Sequence, residues 1–375
     1  MLSDYFLPHV GGGVERVVVE LCNGLIQRGH TITVLALRTC PARATETNGA
    51  LTIYRVPAVD LTRWLGVQFA VSMRVLSATA RLISSFRPDL IHAHNLFFRT
   101  TEVAALLRMM FRVPLITTLH LGEPERGGTL LNALIWTYES TMGSFVVRRS
   151  DHVIAVSNAV AEHARRIGGY STPVTAIPNG VNTDLFYPKP QRHDIGQTVL
   201  FVGRLVPNKG PVTLIQAAPA VLAKYPQVQF LLVGDGPLRF TLQKQAHQLG
   251  IGHAVKFLGI RHDVPELMRA ATVFVRPSSL EGMPLTVLEA MASALPVVAT
   301  PVGGTAELIR DGINGYLIQV GDSAALANTI VRLLDDRSLA EEMGRRGREL
   351  VEGSYTWDAV ANRTERVYAE EICRR

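Results

Sequence analysis

This 375-residue sequence has few cysteines and few lysines. Its three cysteines, Cys22, Cys40 and Cys373, are widely separated and form no C-x-x-C unit, which argues against a disulfide framework and a zinc site and favours a reducing compartment. Lysine occurs five times among the 38 basic residues, and the formal net charge is +6. No basic run is interleaved with aromatic residues, so nucleic acid is not an expected partner.

The sequence also lacks the patterns of secretion and membrane insertion. No signal peptide is evident, and no uninterrupted apolar run reaches the ~18 residues that a membrane-spanning helix needs. Hydrophobic residues amount to 47% of the chain, so disorder is not indicated. We therefore expect a cytoplasmic protein with two cores, because 375 residues exceed one average domain and suit two. Strands are predicted at 31–37, 51–56, 90–93, 115–119, 153–156, 199–202, 230–233, 255–258, 272–275 and 296–300.

The most informative stretch is 276–298, which reads R-P-S-S-L-E-G-M-P-L-T-V-L-E-A-M-A-S-A-L-P-V-V. Pro284 suits the first turn of a helix, which places Met283 at the cap position, where it has no side-chain acceptor. The backbone N–H groups around Gly282, Met283 and Leu285 are then free to bind a phosphate, and the helix dipole favours this.

Glu281 and Glu289 are separated by seven residues and bracket this anion site. Glu281 lies before the predicted helix, and Glu289 lies about one and a half turns inside it. The two carboxylates could hydrogen-bond hydroxyl groups on either side of a bound phosphate, as a nucleoside diphosphate sugar requires. The alternative is a polar loop followed by an ordinary helix with an exposed glutamate.

A second candidate segment, 203–210, follows a predicted strand and reads G-R-L-V-P-N-K-G. Arg204 and Lys209 are five residues apart in a strand-to-helix loop. A planar guanidinium and a compact ammonium in such a loop can bind both phosphates of a diphosphate. The alternative is a surface-exposed basic pair without a ligand.

Gly12 and Gly13 form a glycine-rich turn before a predicted amphipathic helix at 14–28. Such a turn lets the backbone approach an anion closely. No G-x-G-x-x-G or Walker pattern is present, so a plain turn is an equal alternative. The predicted inward-facing residues of the helix are Val17, Val18, Leu21 and Leu25.

Three histidines lie on or directly after predicted strands. His120 follows 115–119, at the carboxyl end where a doubly wound sheet presents ligand-facing residues. His92 and His94 alternate on one strand and point the same way. Their spacing could serve a metal, but no third ligand is evident, and packing is the preferred interpretation.

The text P-S-x-x-E-G-x-P-L-x-x-L-E-A-M-A-S, together with P-V-V-A-T-x-V-G-G, resembles the E-x7-E signature of the retaining glycosyltransferases of family 4. The segments G-R-L-x-x-x-K-G and T-x-H match the same family, so the resemblance covers nearly the whole chain. It implies the GT-B fold, an α/β fold of two facing Rossmann-like domains with doubly wound parallel sheets and a C-terminal helix that crosses back to the first domain. The expected domains are 1–186 and 198–354, with a linker at 187–197 and the last helix in 355–375.

The resemblance also implies a role for each candidate residue. His120 would contact the donor sugar, and Glu281 would position it. Arg204 and Lys209 would neutralise the departing diphosphate, while Glu289 would hydrogen-bond the ribose. The other implied donor-binding residues are Gly12, Gly13, Gly259, Ile260, Gly282, Met283 and Leu285.

The implied reaction moves a sugar from a nucleoside diphosphate sugar to a hydroxyl of a glycan or lipid-linked acceptor, with retention of the anomeric configuration. No D-x-D motif occurs, so we expect a metal-independent enzyme without cofactors. A sugar-nucleotide epimerase of the same fold and a non-catalytic sugar-nucleotide-binding subunit are the open alternatives. A paired-carboxylate glycosidase would leave Arg204 and Lys209 without a role.

Chains of the resembled family open with a full β-strand, of which only Leu2 and its neighbours remain here. A first strand in such a sheet is usually central, so we expect the native start to lie upstream of Met1.

A predicted helix at 69–84 has an apolar stripe, with Arg74 and Arg81 on another face. It could rest on an anionic membrane surface, which would make the protein peripheral at the inner face of the membrane. The alternative is a core stripe with a solvated basic face. The stripe consists of Phe69, Met73, Leu76, Ala80 and Ile83.

Overall fold

The computed structural model describes residues 1–9, 12–62, 69–121, 129–188 and 197–374. The chain forms two compact units. Unit 1 comprises Met1–Asn179 and Trp357–Arg375, and unit 2 comprises Gly180–Thr356. Within the predicted linker, residues 189–196 lie outside the described residues.

Unit 1 is built on an eight-stranded sheet. The ten strands described in unit 1 are β1 (Leu2–Ser3), β2 (Ile32–Arg38), β3 (Thr45–Asn48), β4 (Leu51–Pro57), β5 (Val59–Asp60), β6 (Ala70–Val71), β7 (Ile91–His94), β8 (Leu115–Leu119), β9 (His152–Ala155) and β10 (Val174–Ala176). The sheet has the order β10-β9-β8-β7-β1-β2-β4-β3, and all its pairs are parallel except β3 with β4. Strands β5 and β6 form a separate antiparallel pair.

Unit 2 contains a six-stranded sheet in which every pair is parallel. Its strands are β11 (Thr198–Val202), β12 (Gln229–Val233), β13 (Val255–Gly259), β14 (Val273–Arg276), β15 (Val297–Ala299) and β16 (Tyr316–Leu317). Their order is β13-β12-β11-β14-β15-β16. All ten predicted strands are confirmed within one residue at each end.

Helices follow the strands in both units. Those of unit 1 are α1 (Gly13–Gln27), α2 (Val75–Phe86), α3 (Arg99–Leu107), α4 (Thr129–Tyr138), a π-helical turn (Glu139–Gly143), α5 (Ser144–Arg149) and α6 (Asn158–Gly168). Those of unit 2 are a 3₁₀ turn (Pro207–Lys209), α7 (Pro211–Lys224), α8 (Arg239–Gln248), α9 (Val264–Ala270), α10 (Leu285–Ala292), α11 (Thr305–Leu308), α12 (Ser323–Asp335) and α13 (Arg337–Ser354). The last helix is α14 (Trp357–Cys373). Among the described residues, no helix combines the length and the hydrophobicity that a membrane span requires.

The central strands are buried along their whole length. Every residue of β7, β8, β11 and β14 is buried, as expected for parallel strands that helices cover on both faces. In unit 2 the core extends from the sheet to α7 and α12, which pack against each other. These rigid strands place the loops at their carboxyl ends, where ligands bind in open α/β sheets.

The last helix, α14, belongs to unit 1 and packs against α1. A Cβ atom at Gly24 would come within 2.9 Å of the Ala361 Cβ, so the small residue permits the close approach of the helices. The Arg28 guanidinium donates to Glu365 (2.7 Å) and Asp358 (3.0 Å) on α14. The predicted return of the C-terminal helix to the first domain is therefore confirmed, as is the inward-facing apolar stripe of α1.

The helix predicted at 69–84 is wrong in its first part and in part of its apolar stripe, although Ile83 is buried as predicted. The segment begins with strand β6, and α2 begins at Val75. Val75 and Thr79 lie on the buried face, while Met73 and Leu76 are exposed. Thr79 can be buried because its hydroxyl donates to the Val75 carbonyl (2.7 Å), a local bond that the apolar pattern does not reveal.

Candidate functional site

The loop from β14 to α10 carries the first predicted site. Helix α10 begins at Leu285, with Pro284 as its N-cap residue. The prediction placed the helix start one residue too early, because Pro284 has an extended ψ of 110° and its carbonyl accepts the Val287 N–H (3.2 Å). No side chain among the described residues caps α10, as predicted.

Glu281 lies in this loop, and both oxygens of its buried carboxylate have partners. Oε1 accepts hydrogen bonds from Arg276 Nε (2.8 Å) and the Ser278 hydroxyl (2.8 Å), and Arg276 Nη2 lies 2.7 Å from the same oxygen. Oε2 accepts a hydrogen bond from Lys209 Nζ at 2.8 Å. One carboxylate thus joins the end of β14 to the loop that follows β11.

The charge of Glu281 is set by two opposing influences. Burial is the largest and by itself would raise the pKa of the carboxyl. The positive charges of Arg276 and Lys209, with the hydrogen bonds from Lys209 and Ser278, outweigh burial and lower the pKa of Glu281 to about 2. Glu281 is therefore an ionised acceptor at neutral pH, which suits the binding of hydroxyl groups and excludes a role as general acid.

Arg276 is a residue of this site that the sequence analysis did not assign. Its side chain is buried, and Nη1 donates to the Val202 carbonyl (2.7 Å) at the end of β11. A Cβ atom at Gly203 would lie 2.2 Å from Arg276 Nη1, so the guanidinium occupies the space that this glycine leaves. The available signal was an arginine at the end of the apolar strand V-F-V-R, because a buried guanidinium requires a carboxylate partner.

Lys209 is placed by close backbone contacts between two loops. It ends the 3₁₀ turn, and Gly210 follows with φ +69°. A Cβ atom at Gly210 would come within 1.9 Å of the Pro277 carbonyl oxygen, and Ser279 N donates to Asn208 O (3.0 Å). The loop 203–210 is therefore pressed against the loop after β14, which brings the Lys209 ammonium to Glu281.

Arg204, the other member of the predicted basic pair, has an exposed side chain. Its carbonyl accepts the Val206 N–H (3.0 Å), and among the described residues its guanidinium forms no hydrogen bond or ion pair. The structure thus brings Lys209 but not the Arg204 side chain to Glu281. Arg204 stays at the carboxyl end of β11, in the same loop as Lys209.

The loop 281–283 rests on a second glycine-rich turn. Gly304 N donates to the Gly282 carbonyl (2.6 Å), and Gly303 adopts φ +52°. A Cβ atom at Gly303 would lie 2.0 Å from the Glu281 carbonyl oxygen, so only glycine permits this contact. Met283 is buried beneath the loop, where its Sδ would lie 2.9 Å from a Cβ at Gly304. The backbone around the start of α10 is therefore tightly held.

Glu289 lies on the second turn of α10 and is buried. The alternative interpretation of this residue as an exposed glutamate on an ordinary helix is therefore wrong. Its carbonyl accepts hydrogen bonds from the backbone (3.0 Å) and the hydroxyl (2.9 Å) of Ser293.

The turn after β13 presents an apolar side chain. Gly259 has φ +66°, and its carbonyl accepts the Gly234 N–H (2.7 Å) from the turn after β12. Ile260 follows and is 70% exposed. Since the strands are parallel, this turn lies at the same edge of the sheet as Glu281 and Lys209.

In unit 1, Gly12 and Gly13 lie at the start of α1. Gly12 is the N-cap residue, with φ −162° and ψ −168°, and Gly13 is the first helical residue; both are exposed. Gly11 lies outside the described residues. The helix start therefore offers backbone rather than side-chain groups.

His120 directly follows β8 and is buried. Its Nε2 lies 3.2 Å from His94 Nδ1 at the end of β7. Burial lowers the pKa of His120 to about 3, so the ring is neutral at physiological pH. His92 and His94 are also buried, with ring centroids 4.2 Å apart. Among the described residues, no group of three or more histidine, cysteine or acidic side chains is arranged to hold a metal ion.

Comparison with known families gives two adjoining matches. Residues 11–185 match the family described as Glycosyltransferase Family 4, and residues 186–350 match Glycosyl transferases group 1. Two curated relatives are 31% and 32% identical. The first is the phosphatidyl-myo-inositol mannosyltransferase of Mycobacterium leprae, covering 96% of this chain and 93% of its own length. The second is the GDP-mannose-dependent α-(1-6)-phosphatidylinositol monomannoside mannosyltransferase of Mycobacterium tuberculosis, covering 96% and 95%.

Solved structures agree with the fold. Sucrose-phosphate synthase from Thermosynechococcus elongatus superposes with a TM-score of 0.80 at 25% identity, over 98% of this chain and 95% of that chain. The Anabaena protein HepE superposes with a TM-score of 0.79 at 22% identity, over 98% of both chains. The predicted GT-B fold, with two parallel-sheet α/β units, is therefore confirmed. Because the relatives share more than 30% identity over nearly the full length of both chains, this protein belongs to the family 4 glycosyltransferases.

Proposed function

We propose that this glycosyltransferase is a retaining, metal-independent enzyme that transfers a sugar from a nucleoside diphosphate sugar to a hydroxyl of a glycan or lipid-linked acceptor. The observation that carries the proposal is the Lys209–Glu281 pair beside the uncapped start of α10. It combines a cation, a fixed carboxylate and backbone donors at one sheet edge, which are the groups that a diphosphate and a sugar require.

Lys209 and the start of α10 neutralise the leaving diphosphate in this proposal. The Lys209 ammonium donates to Glu281 (2.8 Å) and to the Leu280 carbonyl (3.4 Å), and its positive charge stabilises the diphosphate. Arg204 adds a second cation from the same loop. These groups act where negative charge develops as the sugar–phosphate bond breaks, which is where electrostatic stabilisation accelerates a reaction.

Glu281 positions the donor sugar by accepting its hydroxyl hydrogens. Arg276 and Ser278 hold one carboxylate oxygen, so the orientation of the group does not depend on the ligand. Glu289 is assigned to the ribose, and the turn at Gly259 and Ile260 to the base. A pKa near 2 makes Glu281 a poor proton acceptor, which favours front-face transfer in which the departing phosphate oxygen takes the acceptor's proton.

Two residue groups of unit 1 are also assigned to ligand binding. His120 would contact the donor sugar as a neutral hydrogen-bonding group. Gly12 and Gly13 would offer main-chain N–H groups to the donor phosphate or the acceptor, as the exposed start of α1 allows.

The names of two relatives favour a lipid-linked acceptor, since both act on phosphatidylinositol compounds.

Unit 1 also exposes Met73 and Leu76 next to Arg74, which supports contact with an anionic membrane surface. Arg99 and Arg108 of unit 1 are not assigned to this surface, because they pair with acidic side chains (2.6 and 2.8 Å). We expect flotation with anionic liposomes at low salt and its loss in a Met73→Asp/Leu76→Asp variant. The absence of flotation at low salt would reject the membrane proposal.

The stereochemistry of transfer tests the reaction. We would screen UDP-glucose and GDP-mannose by thermal shift, then incubate the stabilising donor with lipid extracts and assign the product linkage by NMR. The expected product keeps the donor's anomeric configuration, and EDTA leaves the rate unchanged. An inverted product, or a rate that EDTA abolishes, would refute the proposed mechanism. Incubation with donor alone distinguishes an epimerase, which would convert the sugar without an acceptor.

A further inference from the structure

A buried pair of histidines joins two neighbouring strands of unit 1. His94 is the last residue of β7, and His120 directly follows β8, where the parallel register pairs His94 with Thr118. His94 Nδ1 lies 3.2 Å from His120 Nε2, and the ring planes differ by 26°. The two rings therefore share one hydrogen bond between nitrogen atoms.

Both rings are neutral at physiological pH. Burial is the main cause that lowers the pKa of His94 well below its ordinary value, and burial lowers the pKa of His120 to about 3. A neutral imidazole has one donor nitrogen and one acceptor nitrogen. The shared bond therefore couples the tautomers of the two rings, because the nitrogen that donates in one ring requires an acceptor in the other.

The second nitrogen of His94 decides which ring donates. His94 Nε2 is buried and has no hydrogen-bond partner within the described parts of the chain. A proton on Nε2 would be a buried donor without an acceptor, whereas a proton on Nδ1 enters the bond to His120. Orphaned buried donors are rarer in proteins than under-satisfied acceptors. His94 Nδ1–H therefore donates to His120 Nε2, and the proton of His120 remains on Nδ1.

The His94 ring is itself held in place. The His92 ring lies against it, with centroids 4.2 Å apart. His92 is fixed by the Tyr368 hydroxyl of α14 (2.5 Å) and the Thr118 hydroxyl of β8 (2.6 Å). The Thr101 hydroxyl donates to the His94 carbonyl (3.0 Å). A rigid set of contacts thus extends from the last helix of the chain to His120.

We propose that His94 is a positioning residue that keeps His120 in the Nδ1–H tautomer. His120 Nδ1, which has no partner among the described residues, is then a hydrogen-bond donor at the carboxyl end of the sheet. Its ligand would be an oxygen atom of the donor sugar, and this last step rests on the proposed function. His94 itself does not touch the substrate.

The tautomer can be measured without any ligand. Long-range ¹H–¹⁵N NMR spectra of the full chain labelled with ¹⁵N-histidine distinguish the two nitrogens of each ring, and a His120→Gln variant identifies the His120 signals. We expect the wild-type His120 proton on Nδ1. A wild-type His120 proton on Nε2 would overturn the proposal, and this result needs no variant to fold.

Two variants of His94 sharpen the measurement. In His94→Asn the side-chain amide nitrogen takes the place of Nδ1 and can still donate, so His120 keeps its Nδ1 proton. In His94→Asp the ionised side chain can only accept, so His120 must carry a proton on Nε2 to keep the bond. A His120 ring that still has no proton on Nε2 in His94→Asp would contradict the proposal.

Kinetics separate this inference from the proposed function. With the donor found by thermal shift, we expect His94→Asp to lower kcat about tenfold with little change in donor KM, and His94→Asn to retain most of the wild-type kcat. If the tautomer shifts as expected but His120→Ala retains full turnover, the positioning role stands and the proposed contact of His120 with the sugar fails. If His120→Ala loses turnover but the tautomer does not shift in His94→Asp, the positioning role fails alone.

Discussion

The carboxyl edges of the two sheets both bury ionisable side chains, but with opposite results. In unit 1, His120 is buried against His94, and burial lowers its pKa to about 3, so it is neutral. In unit 2, Glu281 is buried to a similar extent but remains charged, because Arg276 and Lys209 lie at hydrogen-bond distance. Burial neutralises an ionisable group unless opposite charges replace the water that it loses. One edge is thus a set of neutral hydrogen bonds, and the other is an ion network.

The largest expected effect comes from removing the buried cation of that network. Arg276→Met leaves Glu281 with one cation and removes the donor to the Val202 carbonyl. We expect the free energy of unfolding to fall by about 3–5 kcal/mol, the usual result of breaking a buried ion pair. Urea denaturation followed by circular dichroism measures it. The matched control is Arg345→Met, which breaks only exposed pairs on α13 and should change nothing measurable. Equal losses of unfolding free energy in both variants would show that the buried ion network of Glu281 is no more stabilising than exposed ion pairs.

The second prediction concerns catalysis. Lys209→Ala should lower turnover about 10²–10³-fold while the fold is retained, because a charge that stabilises the leaving diphosphate is lost. Lys224→Ala is the control, since its ammonium pairs with Asp335 at the surface of the same unit (2.7 Å). Product formation is measured in parallel with circular dichroism. Turnover of Lys209→Ala that matches the control would remove Lys209 from the site.

A third test uses pH. Glu281 and His120 both have lowered pKa values, but they lose their stabilising charge states in different pH ranges. The stabilisation due to ionised Glu281, about 3 kcal/mol, is fully present above its ordinary pKa of 4.5 and is lost as pH falls toward 2. The stabilisation due to neutral His120 is fully present above 6.5 and is lost as pH falls toward 3.

Urea midpoints between pH 7 and pH 3 measure the two contributions. His120→Asn should make the decline that begins near pH 6.5 less steep without removing it, because burial also lowers the pKa values of His92 and His94. The difference in stability between wild type and Glu281→Gln should stay constant until about pH 4.5 and then shrink. A Glu281→Gln difference that shrinks already between pH 6.5 and 5 would contradict the assigned charge state.

The smallest expected effect tests the backbone that places Lys209. Gly210 and Gly250 have similar φ angles, +69° and +72°, but a Cβ atom would meet the Pro277 carbonyl at 1.9 Å only at Gly210. Each substitution by alanine should cost about 1 kcal/mol for the left-handed backbone. Gly210→Ala should cost about 2 kcal/mol more, and turnover should fall, because the loops must separate. Urea denaturation measures the stability of both variants, and product formation measures their turnover. Equal stability and equal turnover would show that the contact between the two loops does not place Lys209.

Much of the fold could be predicted because it depends on local patterns. The buried parallel strands are short apolar runs, and all ten predicted strands agree within one residue. The uncapped start of α10 follows from P-L after a loop without a capping side chain, although Pro284 proved to be the cap rather than the first helical residue. The helix predicted at 69–84 begins later, at Val75, and it buries Thr79 as well as Ile83, because the Thr79 hydroxyl bonds within its own helix.

The site could be predicted only in its outline. Lys209 and Glu281 were assigned from sequence, and their side chains meet. Arg276 was not assigned, because its contacts with Glu281 and Val202 depend on how the loop folds back onto β11. The contact of His94 with His120 joins positions 26 residues apart and requires two strands in register.

By itself, the sequence determined the strands, the glycine-rich loops and the family, because these follow from residue types at short spacings. Only the tertiary structure decided which ionisable groups are charged. A pKa depends on burial and on partners from distant segments. Arg276 and Lys209 therefore keep Glu281 ionised, whereas burial keeps His120 neutral beside His94.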